Sequence, residues 1–436
     1  MGFLVFGPLM YTFSEWILKT SITNRAEQII FFARDCKLPY LMCKEICKKL
    51  KIRIKLIYLQ ISRKSTTGID LYNPEDIFKV RIDDFSKNSP VSNLLSERFL
   101  ITNNEIEINN YKKNQDIDIN KIVGTYTEEQ LYSFIYSIAK KNWNILSLKY
   151  NKRRNVFLNY LKEELQCDIR KKTAAVDIGY KGTIHKKINN LFETDLISLF
   201  FMTYANVYGT EPIENAQVFY AKDQNPYIKI NPIISHNLLF ETLINEAIGS
   251  SLEIIEKNNN FYVVKDQNLH RKHITAISAL HNGAVKFCSM WIDKCIKINN
   301  YFTFSKESCL YLFYKLVKEP NRIEINLLDG IEFDNNYSGI KTKYIISSLN
   351  KEHINSNIWP ESLKLIRTTQ HDNVNKNQKN NHIICIKRKN IYRIFVFISK
   401  YFLSKQKYQK LTKRPNDFFD DSKYKLVKYW GKKLLS

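Results

Sequence analysis

The sequence predicts an α/β fold: a mostly parallel sheet flanked by helices, followed by a helical C-terminal region and a basic amphipathic tail. Three observations predict this fold. In the first half of the chain, short apolar segments rich in β-branched residues alternate with segments of helical spacing, an order typical of parallel sheets. Helical patterns dominate from Lys272 to about Lys318. A strongly basic segment with an apolar stretch closes the chain.

The first four elements are predicted as helix, strand, helix and strand. Helical spacing covers Phe13 to Gln28 and later Leu38 to Leu50. The predicted strands are Gln28 to Ala33, which is short and apolar, and Ile52 to Ser62, which is rich in β-branched residues. A strand, a helix and a second strand in succession predict a parallel pair.

The following elements continue the alternation. Residues 103–121 are polar and of low complexity, which predicts a surface loop or insertion. The other predicted elements are a helical region from Thr127 to Leu165, a strand at TAAVDIG, a helix at TIHKKINNLF, strands from Asp195 to Tyr204 and from Ala216 to Ala221, a helix from His236 to Ile248, and a hairpin from Ser251 to Val264. The segment that begins at Pro320 is predicted to be irregular.

Composition divides the chain into three parts. Residues 1–370 are predicted to form the α/β body, and residues 371–382, which are rich in Asn and Lys, a linker. Residues 383–436 form a basic amphipathic tail of different character. The sequence shows no internal repeat.

Charge and cysteine usage limit the classes of function. The chain has 67 Lys and Arg against 43 Asp and Glu, which favours an anionic partner. Its 8 cysteines form no CxxC pair, so a zinc site is not expected, and unpaired thiols fit a reducing cytoplasm. No stretch reaches the roughly 18 uncharged residues of a spanning helix. We therefore expect a cytoplasmic protein, with peripheral contact to the inner face of the cytoplasmic membrane.

One glycine-containing turn, within AAVDIGYKGTIHKKI, has the composition of a phosphate-binding loop. Asp177 falls at the end of a predicted strand, Gly179 and Gly182 permit close backbone approach, and Thr183 begins a predicted helix. The N-terminus of a helix favours an anion. Asp177 is a candidate metal ligand or general base, and Lys181 and His185 complete the candidate ligand-binding set of this turn. The alternative is an ordinary strand-to-helix turn with a Thr cap.

Two further predicted strands also end in polar residues. Arg34 and Asp35 follow the first strand, and Ser62 and Arg63 follow the second. If these strands are neighbours, their ends converge with Asp177 on one cleft, where the arginines would bind phosphate and Asp35 would share the catalytic role. The alternative for each group singly is a surface ion pair.

The ordered segments FGPLMYTFSEWI, IIFFARDCKL, YLQISRKS, VDIGYKGTIHKKI, LLFETLINEAIGSS and HNGAVKF carry a family resemblance. Together they resemble bacterial capsule and lipopolysaccharide gene-cluster proteins identified as predicted hydrolases of the haloacid dehalogenase (HAD) superfamily. The resemblance covers roughly Gly2 to Gly339. Cys36 stands where that family has Gly, His185 where it has Gln, and Tyr180 where it has Trp. The family's dehalogenase-like domain, with its D-x-x-D-T nucleophile motif, would precede the region that this chain resembles.

The tail carries 15 Lys and Arg against 3 Asp between Lys387 and Ser436. Within it, KLTKRPNDFFDDSK resembles the ending of many capsule and lipopolysaccharide glycosyltransferases. On a helix, the cations of Ile391 to Leu403 would form one stripe beside an apolar face, which fits a helix lying on an anionic membrane. Docking of the tail on the body is the alternative. Nucleic acid is not expected as a partner, because no binding-module pattern occurs.

Together these observations predict a protein of bacterial surface-polysaccharide synthesis with a site for a phosphorylated sugar or a nucleotide sugar. A transferase is the first interpretation, with glycosyltransferases of the same pathway as partners. The alternatives are a non-catalytic partner or scaffold that lacks the dehalogenase-like domain, and a HAD-like phosphatase. The cofactor is open, with a divalent metal such as Mg²⁺ as the candidate.

Overall fold

The computed structural model describes residues 1–83, 85–102, 117–164, 166, 168, 171–179, 182–192, 196–203, 216–220, 232–266, 271–300, 302–333, 343–346 and 358–362. The predicted linker and tail, and most of the polar insertion at 103–121, lie outside these residues. The α/β body is confirmed within them: a parallel sheet flanked by helices and followed by a helical C-terminal region.

Five parallel strands form the central sheet. They are β1 (Gln28–Phe32), β2 (Lys55–Leu59), β3 (Thr173–Asp177), β4 (Ile197–Phe200) and β5 (Gln217–Val218), in the spatial order β2-β1-β3-β4-β5. The chain leaves β1 to one side for β2 and returns to the other side for β3. In such doubly wound sheets, ligands bind at the carboxyl ends of the strands where the order reverses, here between β1 and β3.

Side chains of β1 alternate between two apolar layers. Ile29 and Phe31 pack with α-helical residues on one face, and Ile30 and Phe32 pack with β2 and β3 residues on the other. Burial of both faces explains why this strand is an unbroken apolar run.

Eleven α-helices lie within the described residues. They are α1 (Gly7–Thr23), α2 (Lys37–Leu50), α3 (Val91–Phe99), α4 (Glu128–Lys141), α5 (Trp143–Asn159), α6 (Thr183–Phe192), α7 (Pro232–Ser235), α8 (Asn237–Ile244), α9 (Arg271–Lys297), α10 (Lys306–Lys318) and α11 (Arg322–Leu328). Helices α1, α2 and α9 pack against one another over one face of the sheet. None of the helices in the described part of the chain combines the length and apolar character needed to cross a bilayer.

Two antiparallel strand pairs complete the described fold. The predicted hairpin is confirmed as β6 (Ser251–Lys257) and β7 (Asn260–Lys265). Its turn residues Asn258 and Asn259 both have positive φ, which asparagine tolerates better than most residues. A pair of two-residue strands, β8 (Glu332–Phe333) and β9 (Lys343–Tyr344), lies after α11.

Several predicted boundaries were wrong for identifiable reasons. The first helix begins at Gly7 and ends at Thr23, because Arg25 adopts a left-handed φ of 58° before β1. By contrast, the predicted helical region from Thr127 to Leu165 is confirmed through Glu164. It is divided into two α-helices, since the Asn142 side chain donates to the Ile138 carbonyl oxygen at 2.8 Å and ends α4.

Two C-terminal predictions also need correction. The segment after Pro320 is not irregular throughout: it contains α11, which begins with a capping box between Asn321 and Glu324. The predicted helix from His236 to Ile248 ends at Ile244, because the chain turns at Asn245 toward the carboxyl ends of the strands.

Among the described residues, the crossover from β2 to β3 contains a helical unit with its own core. Helices α3, α4 and α5 bury Phe99, Phe134 and Ile138 completely. The sequence analysis placed these helices in the α/β body, so a separate core was not predicted.

Candidate functional site

Asp177 and the residue pair Arg34–Asp35 lie at the same edge of the sheet. Phe31 of β1 is paired in register with Val176 of β3, and Asp177 is the last residue of β3. On the other side of β1, Phe32 is paired with Leu59 of β2, four residues before Arg63. The predicted convergence of these three strand ends is therefore seen at the switch point of the sheet.

Asp177 is largely buried, with a side chain that is 14% exposed. The Gly179 N–H donates to its Oδ1 at 3.3 Å. The pKa of Asp177 is raised to about 7. Burial is the largest cause and the charge of Asp35 adds to it, whereas the Gly179 N–H and the Arg63 guanidinium act in the opposite direction. Asp177 is thus poised to hold or release a proton near neutral pH.

Asp35 is the second carboxyl group of the site. Burial raises the pKa of Asp35, while the guanidinium groups of Arg34 and Arg63 lower it. With its amide nitrogen facing the two acceptors, Asn245 donates to Asp35 Oδ1 at 2.5 Å and to the Glu241 carbonyl oxygen at 3.0 Å. Asn245 was not predicted as a site residue. Its place in a predicted helix was visible in the sequence, but the turn that brings it to Asp35 was not.

Arg34 is held against the segment that follows α8. Its Nη1 donates to the Ile248 carbonyl oxygen at 3.3 Å, and its own carbonyl oxygen accepts from the Glu246 N–H at 3.0 Å. The Glu246 carboxylate in turn accepts from Tyr58 Oη at 2.8 Å and from Lys37 Nζ at 2.5 Å. These contacts fix the position of Arg34 relative to Asp35.

The predicted turn has the backbone that the glycines were expected to permit. Gly179 has a φ of 141° and Gly182 a φ of 62°, and α6 begins at Thr183. A Cβ atom on Gly179 would lie 2.1 Å from the Met202 carbonyl oxygen, so only glycine fits. Lys181 lies outside the described residues.

His185 does not reach the surface, where a ligand-binding residue was expected. Its side chain is 0% exposed, with Phe32 and Phe200 rings at centroid distances of 4.8 Å and 4.5 Å. Its Nδ1 lies 2.9 Å from Ser198 Oγ, and its Nε2 lies 4.0 Å from Asp177 Oδ2. Burial lowers the pKa of His185 to about 3, so the ring is neutral, and its Nε2 makes no hydrogen bond to the described residues.

The Ser62 hydroxyl already has three partners. It donates to the Ser251 carbonyl oxygen at 2.5 Å and accepts from the N–H groups of Lys64 and Ser65, each at 3.1 Å. Ser62 therefore shapes the loop that carries Arg63. Its predicted contact with a ligand would require one of these bonds to be exchanged.

Thr203 is a further polar group that the sequence did not single out. Met202 continues the β3–β4 pairing by donating to the Ile178 carbonyl oxygen at 3.1 Å, which places Thr203 alongside Gly179. Its hydroxyl is buried and has no hydrogen-bond partner among the described residues. It is therefore a candidate donor to a bound ligand.

The described residues offer neither a metal site of protein ligands nor a reactive thiol near Asp177. They contain no group of three or more His, Cys, Asp or Glu placed to hold a metal ion. Burial raises the pKa of the Cys36 thiol, and the charges of Asp177 and Asp35 raise it as well, so this cysteine is an unreactive thiol.

The fold and the site define a doubly wound α/β protein with a pair of buried carboxyl groups and two arginines at its switch point. The chain matches no protein-family model and no curated protein sequence.

Proposed function

We propose that the chain binds a phosphorylated sugar or a nucleotide sugar at the switch point and acts as a transferase of bacterial surface-polysaccharide synthesis. The observation that carries the proposal is the pairing of Asp35 and Asp177 beside Arg34 and Arg63. Ligands of doubly wound sheets bind at this place.

The charge of the site favours an anion. The site brings two guanidinium groups together with two carboxyl groups, which resist full ionisation because burial raises the pKa of each. At neutral pH the four side chains therefore carry a net positive charge. A phosphate that draws Arg63 toward itself would reduce the stabilisation of ionised Asp177 and favour its protonated form.

Each element of the site has a role in the proposal. Arg34 and Arg63 bind the phosphate oxygens, and Gly182 and Thr183 offer backbone N–H groups at the start of α6. Asp177 exchanges a proton with the reacting group, while Asp35 supports its protonated state through charge repulsion.

A divalent metal such as Mg²⁺ fits the site only in part. Asp35 and Asp177 could supply two carboxylate oxygens, and substrate phosphate and water would supply the rest. Both carboxyl groups would first have to lose their protons, which burial opposes. The roles of the arginines and of Asp177 do not require the metal.

The biological assignment rests on the resemblance to capsule and lipopolysaccharide gene-cluster proteins and on the glycosyltransferase-like ending. Both point to the same pathway through different parts of the sequence.

Substitution of Arg63 by Ala tests ligand binding. We expect the full chain to bind a uridine diphosphate sugar or a hexose 1-phosphate, and Arg63→Ala to weaken binding at least about tenfold, since a charge-assisted hydrogen bond contributes about 1.5–3 kcal/mol. Isothermal titration calorimetry measures the effect. The control is the neighbouring Lys64→Ala, whose cation pairs with Glu97 at 2.8 Å and should leave affinity unchanged.

The outcomes separate the three candidate functions. A folded chain with affinity for neither ligand would favour the non-catalytic scaffold. Release of inorganic phosphate from the hexose 1-phosphate would favour the hydrolase. Equal affinity of the Arg63 and Lys64 variants would place the anion site elsewhere.

For the tail, we expect residues 383–436 to hold the protein on anionic membranes, beside glycosyltransferases that carry similar endings. Truncation at Asn381 should greatly lower co-sedimentation with anionic vesicles but not with neutral ones. Salt should weaken binding of the full chain, because it screens the lipid charge. Unchanged binding after truncation would favour docking of the tail on the body.

A further inference from the structure

The end of the molecule opposite the candidate site is strongly basic. This amino end comprises the starts of β1, β2 and β3 and the last turns of α1, α2 and α9. The strand starts lie side by side, because Gln28 is paired with both Lys55 and Thr173. The end of α9 joins them through an ion pair of 2.5 Å between Lys49 and Asp293.

Among the described residues of this amino end, nine cations but only two acids are exposed. The exposed acids among its described residues are Glu27 and Asp293. The exposed cations are Arg25, Lys48, Lys51, Arg53, Lys55, Lys171, Lys172, Lys294 and Lys297. Cations in the last turn of a helix complement its dipole, which accounts for Lys48, Lys294 and Lys297 but not for those that precede the strands. Helix dipoles therefore do not explain the cations that precede the strands.

Two isoleucines project among these cations. Ile296 is 55% exposed and Ile298 is 43% exposed, on either side of Lys297 at the end of α9. Apolar side chains beside Lys and Arg are typical of surfaces that lie on a membrane, where the apolar groups enter the headgroup region and the cations meet anionic lipid. A nucleic-acid surface would instead be expected to offer aromatic side chains for stacking or a groove-binding element.

We propose that the amino end of the sheet docks the body on an anionic lipid surface, with Ile296 and Ile298 entering the headgroup region. This contact is separate from the one proposed for the tail, because it uses the folded body. It turns the carboxyl ends of the strands, and with them the candidate site, away from the lipid. The site then takes its substrate from the aqueous side, as a water-soluble sugar phosphate or nucleotide sugar would require.

The test compares two charge-reversal variants of the full chain. The amino-end variant carries Lys51→Glu, Arg53→Glu, Lys294→Glu and Lys297→Glu. The control carries Lys87→Glu, Lys121→Glu, Lys140→Glu and Lys152→Glu, four exposed positions of the crossover unit with the same change in net charge. Circular dichroism establishes that both variants are folded, and co-sedimentation with phosphatidylglycerol-containing and phosphatidylcholine vesicles measures binding.

We expect the amino-end variant to lose at least about tenfold in apparent affinity for the anionic vesicles, and the control at most about twofold. Two surfaces on one membrane reinforce each other, so the loss is expected even when the tail also binds. The pair Ile296→Ser and Ile298→Ser should remove part of the binding that remains at high salt. Equal binding of the two charge variants would overturn the proposal, as would a loss of affinity for RNA without a loss for vesicles. Neither result depends on whether the candidate site binds a sugar phosphate.

Discussion

Asn in place of Asp177 is expected to stabilise the protein at pH 8. The pKa of Asp177 is about 7 in the folded state and close to 3.8 when unfolded, so the folded protein binds more protons between these values. The free energy of unfolding therefore falls as pH rises from about 4 to about 7, by at most about 1.4 kcal/mol per pH unit, and levels off above. Asn cannot ionise and avoids this loss, which by the same slope amounts to at most about 4 kcal/mol at pH 8.

Urea denaturation at pH 5 and pH 8 measures the effect. The gain of Asp177→Asn over the wild type should be larger at pH 8 than at pH 5. The control is Asp293→Asn, at a carboxyl group that is 56% exposed, where a change within about 0.5 kcal/mol is expected at both pH values. A lower stability of Asp177→Asn at pH 8 would mean that ionised Asp177 anchors the turn and is not held there for chemistry.

Ala in place of Gly179 is expected to destabilise the protein by about 3–5 kcal/mol. The φ of 141° is nearly restricted to glycine, and the added Cβ would meet the Met202 carbonyl oxygen at 2.1 Å. The Met202 backbone cannot easily move, because its N–H donates to the Ile178 carbonyl oxygen at 3.1 Å. Denaturant unfolding at constant pH measures the loss.

The matched control is Gly330→Ala. Gly330 also has a positive φ, of 73°, but the nearest atom to an added Cβ would be Lys272 Nζ at 3.5 Å, at the end of a flexible side chain. We expect a cost of about 1–2 kcal/mol from the backbone alone. If Gly179→Ala costs no more than this control, the turn is not as tightly packed as the contact with Met202 indicates.

The parallel sheet could be predicted because its signal is local. β1 and β3 are apolar on both faces, and polar residues follow them immediately in the chain, so the strand ends and the candidate carboxyl groups are visible together. The convergence of Asp35, Arg63 and Asp177 followed from one general rule, that parallel strands end at one edge.

The rest of the site depends on contacts that are distant in sequence. Asn245 reaches Asp35 only because α8 ends at Ile244, and Ser62 is occupied by the Ser251 carbonyl oxygen, 189 residues away. His185 is buried because α6 lies against β4, although its spacing in the sequence fits an exposed ligand contact equally well. Such contacts leave no periodic pattern in the sequence.

Calorimetric titration with a uridine diphosphate sugar, in two buffers of different ionisation enthalpy at pH 7, tests the central claim most directly. A bound diphosphate adds negative charge beside Asp177 and should raise its pKa further, so binding should take up protons and the measured enthalpy should depend on the buffer. Asp177→Asn should abolish that dependence. Binding with a buffer-independent enthalpy in the wild type, or no binding by the folded chain, would contradict the account.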